Sequence, residues 1–185
     1  GLPVAALLAS RGVEVVGVDV NPLAVSAINE GRAHFSEPDL DALVQQAVAT
    51  GRLRAVTQPE PAEAFVIAVP TPVAGDHAPD LSYVEAAAAS LAPVLRKGNL
   101  IILESTSPVG TTEMISQNLA MLRPDLSFPN GHGESADILI AYCPERIIPG
   151  NMVAERVEND RIVGGLCPAA SEAAAALYST FVRGQ

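Results

Sequence analysis

Residues 1–22, GLPVAALLASRGVEVVGVDVNP, decide the fold of this chain. An alanine- and leucine-rich segment opens the stretch and predicts a helix over residues 1–11, because Gly12 is typical of a residue that ends a helix. The next segment, residues 13–20, is almost continuously apolar, as expected for a parallel strand that is buried on both faces. A helix followed by a strand that ends in an acid, Asp19, is the downstream half of a dinucleotide-binding βαβ unit.

Two residues of this stretch match positions that contact the dinucleotide. In such a unit the helix begins at the third glycine of a G-x-G-x-x-G turn, and the acid hydrogen-bonds the adenosine ribose. Gly1 corresponds to that glycine and Asp19 to the acid, so the first strand and the first two glycines are expected upstream of the chain. A 2′-phosphate would meet the like charge of Asp19, which favours NAD over NADP. The alternative is that Asp19 only caps the helix that begins at Asn21 and Pro22.

The composition is that of a globular protein and excludes several classes of partner. Of the 185 residues, 49% are hydrophobic and 17% are charged, which suffices for a buried core. The net charge of −10 argues against a nucleic-acid or anionic-membrane surface, because Lys and Arg are needed to neutralise phosphates. No apolar run is long enough to span a membrane. The two cysteines, Cys143 and Cys167, lack a C-x-x-C spacing and indicate a reducing, cytoplasmic compartment.

Helical and strand patterns alternate along the whole chain. Helices are predicted over residues 1–11, 22–30, 37–50, 81–95, 111–122 and 171–181, and strands over residues 13–20, 53–57, 65–69, 99–104, 137–142 and 160–164. This alternation predicts an α/β fold, namely a doubly wound, Rossmann-like, mostly parallel sheet with helices on both faces and its first strand missing. No shift in composition marks an internal boundary, so residues 1–185 are interpreted as a fragment of one NAD-binding domain. Lys97, beside Gly98, is expected to cap the fourth helix.

Four of the predicted strands end in polar residues or in conformationally restricted turns. Ligands of open parallel sheets bind at the carboxyl ends of the strands, so this edge is the candidate site. The four turns are Asp19, Pro70-Thr71-Pro72, Ser105-Thr106 and Cys143-Pro144-Glu145-Arg146.

Two of these turns offer hydroxyl groups. Thr71 lies between prolines that fix its backbone, so its hydroxyl is a candidate cofactor contact; the alternative is a rigid start of a loop. Residues 105–112 lead from a strand end to a helix N-terminus, and they offer hydroxyls and unpaired amides to an anion or to a nicotinamide ribose. The alternative is ordinary capping by Thr111 or Thr112, and both interpretations can hold together.

The turn after the fifth strand carries two charged candidates. Arg146 suits bidentate pairing with a diphosphate or a carboxylate, and Glu145 suits the holding of a water or the acceptance of a proton. The alternative is a salt-bridged surface pair. Cys143 has no identifiable base beside it and is interpreted as a core residue. The histidines lack metal-ligand spacing, so no metal site is predicted.

The segments GLP…GVDVNP, AVPTP, ESTSPVGTTE and YCPERIIPG occur in this order along the chain. Together they resemble the N-terminal, NAD-binding domain of the UDP-glucose/GDP-mannose dehydrogenases, and the resemblance covers essentially the whole chain. PTPVAGDHAPD and CPERIIPG look most similar to the branch of the family that acts on UDP-N-acetyl-D-mannosamine. The resemblance implies oxidation of the sugar C6 hydroxyl to a carboxylate by two successive hydride transfers to NAD⁺, for cell-surface polysaccharide synthesis in bacteria.

The resemblance also implies roles for individual residues. The implied NAD contacts are Gly1, Asp19, Thr71, Thr106 and Thr112. The implied catalytic residues, which would position a water or a proton, are Thr106 and Glu145. The implied contacts with the nucleotide sugar are Glu145, Arg146 and Ile147.

The family's nucleophilic cysteine and catalytic lysine lie in later segments of the polypeptide. This chain alone is therefore expected to be inactive, neither Lys97 nor Cys143 is assigned a catalytic role, and a homodimer is expected to form through downstream segments. The alternatives are a non-catalytic dinucleotide-binding module on the same fold and a UDP-glucose 6-dehydrogenase. The turns at residues 105–108 and 144–145 speak against a hydroxy-acid dehydrogenase.

Overall fold

The computed structural model describes residues 1–33, 35, 37, 39–73, 79–129, 135–145 and 151–184. In this part of the chain, helices α1 to α7 span Leu2–Ser10, Pro22–Asn29, Leu40–Ala49, Ser82–Leu91, Thr111–Leu122, Met152–Glu158 and Pro168–Tyr178. Strands β1 to β6 span Val15–Val18, Leu53–Val56, Ala64–Ile67, Leu100–Leu103, Leu139–Tyr142 and Gly164–Gly165. The elements form two compact units. We call them the first unit, which contains β1, β2, α1 to α3 and α6, and the second unit, which contains β3 to β6, α4, α5 and most of α7.

The first unit is built on the parallel pair β1 and β2, in which Val15 lies opposite Leu53 and Val18 opposite Val56. Helices α1, α2 and α3 cover the pair with a core of small and branched side chains, whose burial stabilises the unit. The buried members are Ala6, Ala9, Ile28, Leu40, Val44, Ala47, Leu53 and Ala55.

Both ends of α2 are fixed by asparagine side chains. Asn21 Oδ1 accepts a hydrogen bond from the backbone N–H of Leu23 at 3.0 Å, and Pro22 occupies the first turn, as predicted. At the other end, Asn29 Nδ2 donates to the carbonyl of Ala55 at 2.9 Å, and Asn29 Oδ1 accepts from the N–H of Ala55 at 2.7 Å. The amide of Asn29 thus satisfies backbone groups at the edge of β2.

The second unit contains a four-stranded sheet in the order β3-β4-β5-β6. The first three strands are parallel, with Ile67 opposite Leu103 and Leu103 opposite Tyr142, whereas β6 is antiparallel to β5. Helices α4 and α5 pack on this sheet over one apolar core. The predicted α/β class and the mostly parallel pairing are therefore confirmed.

The predicted helix over residues 81–95 is too long, and the predicted role of Lys97 is wrong. Helix α4 ends at Leu91 and a 3₁₀ turn, Ala92–Val94, follows, because Pro93 has no N–H with which to continue an α-helix. Lys97 lies beyond this turn, and its Nζ pairs with Asp137 Oδ1 at 3.2 Å instead of capping the helix.

The cation at this end of α4 comes from Arg123. Its Nη1 donates hydrogen bonds to the carbonyls of Ala92 at 2.6 Å and Leu95 at 2.9 Å. The guanidinium also bonds Asp125, and that hydrogen bond raises the pKa of Arg123 and lowers the pKa of the carboxyl. A distant arginine therefore does what the sequence assigned to a neighbouring lysine.

The last predicted strand, residues 160–164, has the wrong bounds, since β6 spans only Gly164–Gly165. Ile162, which lies within the predicted strand, precedes β6 and is 59% exposed. Helix α6 just before it was not predicted, because its sequence MVAERVE combines apolar residues with three charges and includes Arg156, which is nonetheless buried. Helix α7 begins at Pro168, earlier than the predicted residue 171.

Asp137 ties the segment before β5 to its surroundings, and the tie should depend on pH. The backbone N–H of Ser127 donates to Asp137 Oδ2 at 2.9 Å, and this bond is the chief cause that lowers the pKa of the Asp137 carboxyl. A carboxyl with a lowered folded pKa stabilises the fold above its unfolded pKa, about 3.9, and that contribution is lost as the pH falls through the folded value.

We therefore expect Asp137→Ala to lower the midpoint of thermal unfolding at pH 7, and the difference from wild type to shrink as the pH falls below about 4. Thermal scans of both proteins between pH 7 and pH 2.5 measure this. Asp137→Asn, which keeps an oxygen acceptor for Ser127 but no charge, should lie between the two proteins at pH 7. Equal midpoints for all three at pH 7 would contradict the assignment.

Candidate functional site

Asp19 is held at the carboxyl end of β1 by its own backbone and side chain. Its N–H donates to the carbonyl of Val56 at 3.1 Å, and its Oδ1 accepts from the N–H of Asn21 at 2.8 Å. The side chain is half-buried, and Oδ2 makes no hydrogen bond to any described residue. Asp19 thus supports the turn into α2, while Asn21 is the residue that caps the helix. One carboxylate oxygen is directed to the fold and the other is open to a ligand.

Gly1 occupies the N-cap position of α1. Its carbonyl accepts the first hydrogen bond of the helix from the N–H of Ala5 at 3.0 Å, and Pro3 lies in the first turn. This is the position that the sequence assigned to the third glycine of the fingerprint. Its contact with a cofactor stays a prediction.

Three candidate residues of the second unit follow neighbouring parallel strands. Thr71 comes after β3, Thr106 after β4 and Glu145 after β5, so all three lie beyond the same edge of one sheet. Thr106 is exposed, whereas Thr71 and Glu145 are half-buried. The N–H of Glu145 donates to the carbonyl of Glu104 at 3.3 Å, which ties the turn after β5 to the end of β4. The strand-end pattern in the sequence thus identified groups that do share an edge.

Ser105 joins the turns after β3 and β4. Its buried Oγ accepts a hydrogen bond from the N–H of Val69 at 2.9 Å and donates one to the carbonyl of Val69 at 2.8 Å. The sequence offered this hydroxyl to a ligand, but it is occupied within the protein. The contact depends on how β3 and β4 are paired, and no local pattern in the sequence signals it.

A concave pocket of about 200 Å³ lies at the N-terminus of α5. Its wall combines the turn after β4, the first turn of α5 and Tyr142 of β5. Gly110, with φ of 95°, is the N-cap residue, and no side chain caps the helix. The N–H of Thr111 donates to the carbonyl of Pro108 at 3.3 Å. A helix N-terminus of this kind favours an anionic or polar ligand group. The residues that line the pocket are Leu103, Ser107, Pro108, Val109, Gly110, Thr111, Thr112, Glu113 and Tyr142.

Neither threonine at the start of α5 caps it, so that alternative is wrong. Thr111 Oγ1 donates to the carbonyl of Pro108 at 2.8 Å and closes the preceding turn. Thr112 is half-buried and its Oγ1 bonds a carboxylate oxygen of Glu113 at 2.9 Å. Thr112 lines the pocket, and its contact with a cofactor stays a prediction.

Two of the predicted site residues lie outside the part of the chain that the structure describes, and Cys143 is a core residue. Arg146 and Ile147 lie outside the described residues, as do the three histidines, His34, His77 and His132. Cys143 is fully buried, as a core residue should be, and it forms no disulfide with Cys167, which is also buried. No helix among the described residues is long and apolar enough to cross a membrane.

A family model and curated relatives both match the chain to dehydrogenases that act on nucleotide sugars. The family model described as "UDP-glucose/GDP-mannose dehydrogenase family, NAD binding domain" matches residues 1–182. Over all 185 residues the chain is 60% identical to an NDP-N-acetyl-D-galactosaminuronic acid dehydrogenase of Ralstonia nicotianae and covers 44% of that protein. It is 59% identical to a UDP-N-acetyl-D-mannosamine dehydrogenase of Yersinia pestis, again covering 44% of it.

Solved structures agree with the sequence matches. The whole chain superposes with a TM-score of 0.91 and 39% identity on 43% of a UDP-D-ManNAc dehydrogenase from Pyrococcus horikoshii. The UDP-N-acetyl-mannosamine dehydrogenase Cap5O from Staphylococcus aureus matches with a TM-score of 0.90, 37% identity and 44% coverage of its chain. The chain thus spans less than half the length of the relatives that it matches.

Proposed function

The chain belongs to the NAD-binding domain of the UDP-glucose/GDP-mannose dehydrogenase family, and from that premise we propose that it is the cofactor-binding part of a nucleotide-sugar 6-dehydrogenase. The proposed substrate is UDP-N-acetyl-D-mannosamine, whose C6 hydroxyl is oxidised to the carboxylate of the uronic acid in two hydride transfers. The observation that carries the proposal is identity of 56–60% over the whole chain to enzymes named for N-acetylated uronic acids or N-acetylmannosamine.

The described residues suit NAD chemically. Asp19 presents a carboxylate oxygen at a strand end, which is what a ribose diol needs. The pocket at α5 offers a helix N-terminus that no side chain caps, together with threonine side chains, and both suit the polar part of a nucleotide. When bound, NAD⁺ would supply the hydride acceptor of both oxidation steps. The proposed NAD contacts are Gly1, Asp19, Thr71, Thr106 and Thr112.

Two strand-end residues are proposed to act on the substrate side. Thr106 presents an exposed hydroxyl that can orient a water or the reacting hydroxyl by hydrogen bonding. Glu145 supplies a carboxylate that can hold the same water or accept its proton. Arg146 and Ile147 are proposed to contact the nucleotide sugar on the strength of the motif CPERIIPG alone.

A second nucleotide sugar is also a candidate for the substrate. The relative at 60% identity is named for N-acetyl-D-galactosaminuronic acid, so nucleotide-linked N-acetylgalactosamine competes with N-acetylmannosamine. NADH formation by the full-length enzyme on both sugars, on UDP-glucose and on GDP-mannose decides between them. The highest kcat/KM on UDP-N-acetyl-D-mannosamine is the expected result. Preference for UDP-glucose would overturn the substrate, and no turnover with NAD⁺ on any of the four would overturn the function.

Three properties of the complete protein belong to the same proposal. It works in the cytoplasm, where NAD is present and where cysteines that form no disulfide, such as Cys143 and Cys167, stay reduced. It forms a homodimer through segments downstream of this chain. Its product serves bacterial cell-surface polysaccharide synthesis.

Asp19→Ala in the full-length enzyme is expected to raise KM for NAD⁺ by about 10- to 100-fold, as expected from the loss of a charge-assisted hydrogen bond worth about 1.5–3 kcal/mol. KM for the sugar should stay near the wild-type value, since Asp19 is assigned to the adenosine ribose. Steady-state kinetics with each substrate varied in turn measures both constants.

Asn21→Ala is the matched control for Asp19, because it removes the N-cap of α2 and leaves the carboxylate in place. If loss of support for α2 were the cause, both variants would raise KM for NAD⁺ alike. An equal rise of the two Michaelis constants in Asp19→Ala would likewise reduce Asp19 to a residue that supports the turn.

A further inference from the structure

Thr106 lies between two residues that are both held by hydrogen bonds to neighbouring strand ends. On one side, Ser105 is only 7% exposed and its Oγ is bonded to both backbone groups of Val69, beyond β3. On the other side, the N–H of Ser107 donates to the hydroxyl of Tyr142, the last residue of β5, at 3.2 Å. The turn after β4 is thus tied to the strands on either side of it.

A third contact closes the turn across Thr106 itself. Ser107 Oγ donates to the carbonyl of Ser105 at 2.9 Å, so the residues before and after Thr106 are bonded to each other. The hydroxyl of Tyr142 lies 3.4 Å from the carbonyl of Ser107, so it approaches both backbone groups of that residue. Thr106 is exposed and its own hydroxyl makes no hydrogen bond to any described residue.

We propose that Ser105, Ser107 and Tyr142 form a hydroxyl brace whose role is to position Thr106 for catalysis. The proposal rests on the proposed function, in which Thr106 orients the reacting group. The hydroxyls of these three residues form hydrogen bonds that hold the turn. The hydroxyl of Thr106 is the one that is available to the reacting group. They are positioning residues, because they act through Thr106.

The brace has a physical purpose. A hydroxyl on an exposed turn would otherwise sample several positions, and a misplacement of about 1 Å is enough to cost about 100-fold in rate. The register of the sheet sets the brace, since Leu103 of β4 lies directly opposite Tyr142 of β5 and the turn begins just beyond that pair. Tyr142 also lines the pocket, and a phenylalanine in its place keeps the ring while it removes the hydroxyl.

Tyr142→Phe in the full-length enzyme is the test, because it deletes one oxygen atom. Loss of a hydrogen bond worth about 0.5–1.5 kcal/mol should lower kcat by about 2- to 12-fold, with KM for the sugar little changed. Tyr83→Phe is the matched control, since Tyr83 lies exposed on α4 and carries the same substitution away from the turn. Its kcat should equal that of wild type.

A double-mutant cycle distinguishes positioning from general support. If Tyr142 acts through Thr106, Tyr142→Phe should have no further effect on kcat in a Thr106→Ala background. Equal effects of Tyr142→Phe in both backgrounds would overturn the proposal, because a purely structural residue does not depend on the Thr106 hydroxyl.

Hydrogen exchange tests the brace without turnover. The backbone amide of Ser107 should exchange faster in Tyr142→Phe than in wild type, and at the wild-type rate in Tyr83→Phe. Unchanged exchange in Tyr142→Phe, together with unchanged kcat, would overturn the brace. A wild-type enzyme that turns over none of the nucleotide sugars would instead overturn the proposed function, and faster exchange would still establish the brace as a structural device.

Discussion

Replacing Glu145 with glutamine in the full-length enzyme should lower kcat by about 10²- to 10⁴-fold, the range that a positioned general acid or base contributes. Glutamine keeps the shape of the side chain and its ability to accept one hydrogen bond, but it cannot take a proton. The backbone of this residue is tied to Glu104 through its N–H, a contact that the substitution leaves unchanged. The fall in kcat should therefore come from the lost proton transfer, since the substitution keeps the backbone contact that supports the fold.

The control for Glu145 is Glu85→Gln, which removes one negative charge from the exposed first turn of α4. Its kcat and both Michaelis constants should match those of wild type. Two results would contradict the catalytic role that we propose for Glu145. A kcat within twofold of wild type would exclude proton handling, and an isolated rise in KM for the sugar would restrict Glu145 to substrate binding.

The shared position of three candidate residues was predictable, because the carboxyl ends of parallel strands meet at one edge of a sheet. Thr71, Thr106 and Glu145 each follow a short apolar strand, and the structure puts those three strands side by side. What the sequence could not show is which hydroxyls are free. Ser105 and Thr106 are adjacent and chemically alike, yet one is buried against Val69 and the other is exposed, and only the pairing of β3 with β4 decides this.

The fold was predictable where local signals agreed with one another. Helix α5 has the predicted bounds, since Gly110 precedes it and its apolar residues recur at helical spacing. Prediction failed where a long-range contact replaced a local one. The carbonyls at the end of α4 are bonded by Arg123 rather than by Lys97. The composition gave no sign that the chain divides into two compact units.

The strand predicted over residues 160–164 differs in its bounds from β6, and Gly165 is the residue of β6 that packs closely against the start of α7. Ile162 and Val163 lie within the predicted strand, but the pairing with β5 occurs only at the two glycines that follow them. A Cβ atom on Gly165 would lie 2.5 Å from Ser171 N and 2.6 Å from Cys167 O, both of them backbone atoms at the start of α7. The N–H of Gly165 also donates to Ser171 Oγ at 2.8 Å, which fixes this close approach.

Gly165→Ala is therefore expected to lower the free energy of unfolding by about 3 kcal/mol or more, at the upper end of what overpacking costs, because the atoms in the way belong to the backbone and cannot rotate aside. Urea denaturation of the variant and of wild type measures the loss. Gly164→Ala is a control one residue away, since a Cβ there meets nothing within 4 Å, and its effect should stay within about 0.5 kcal/mol. Equal stability of the two variants would mean that α7 can move away from β6 at little cost in free energy. The close contact at Gly165 would then not determine the length of β6.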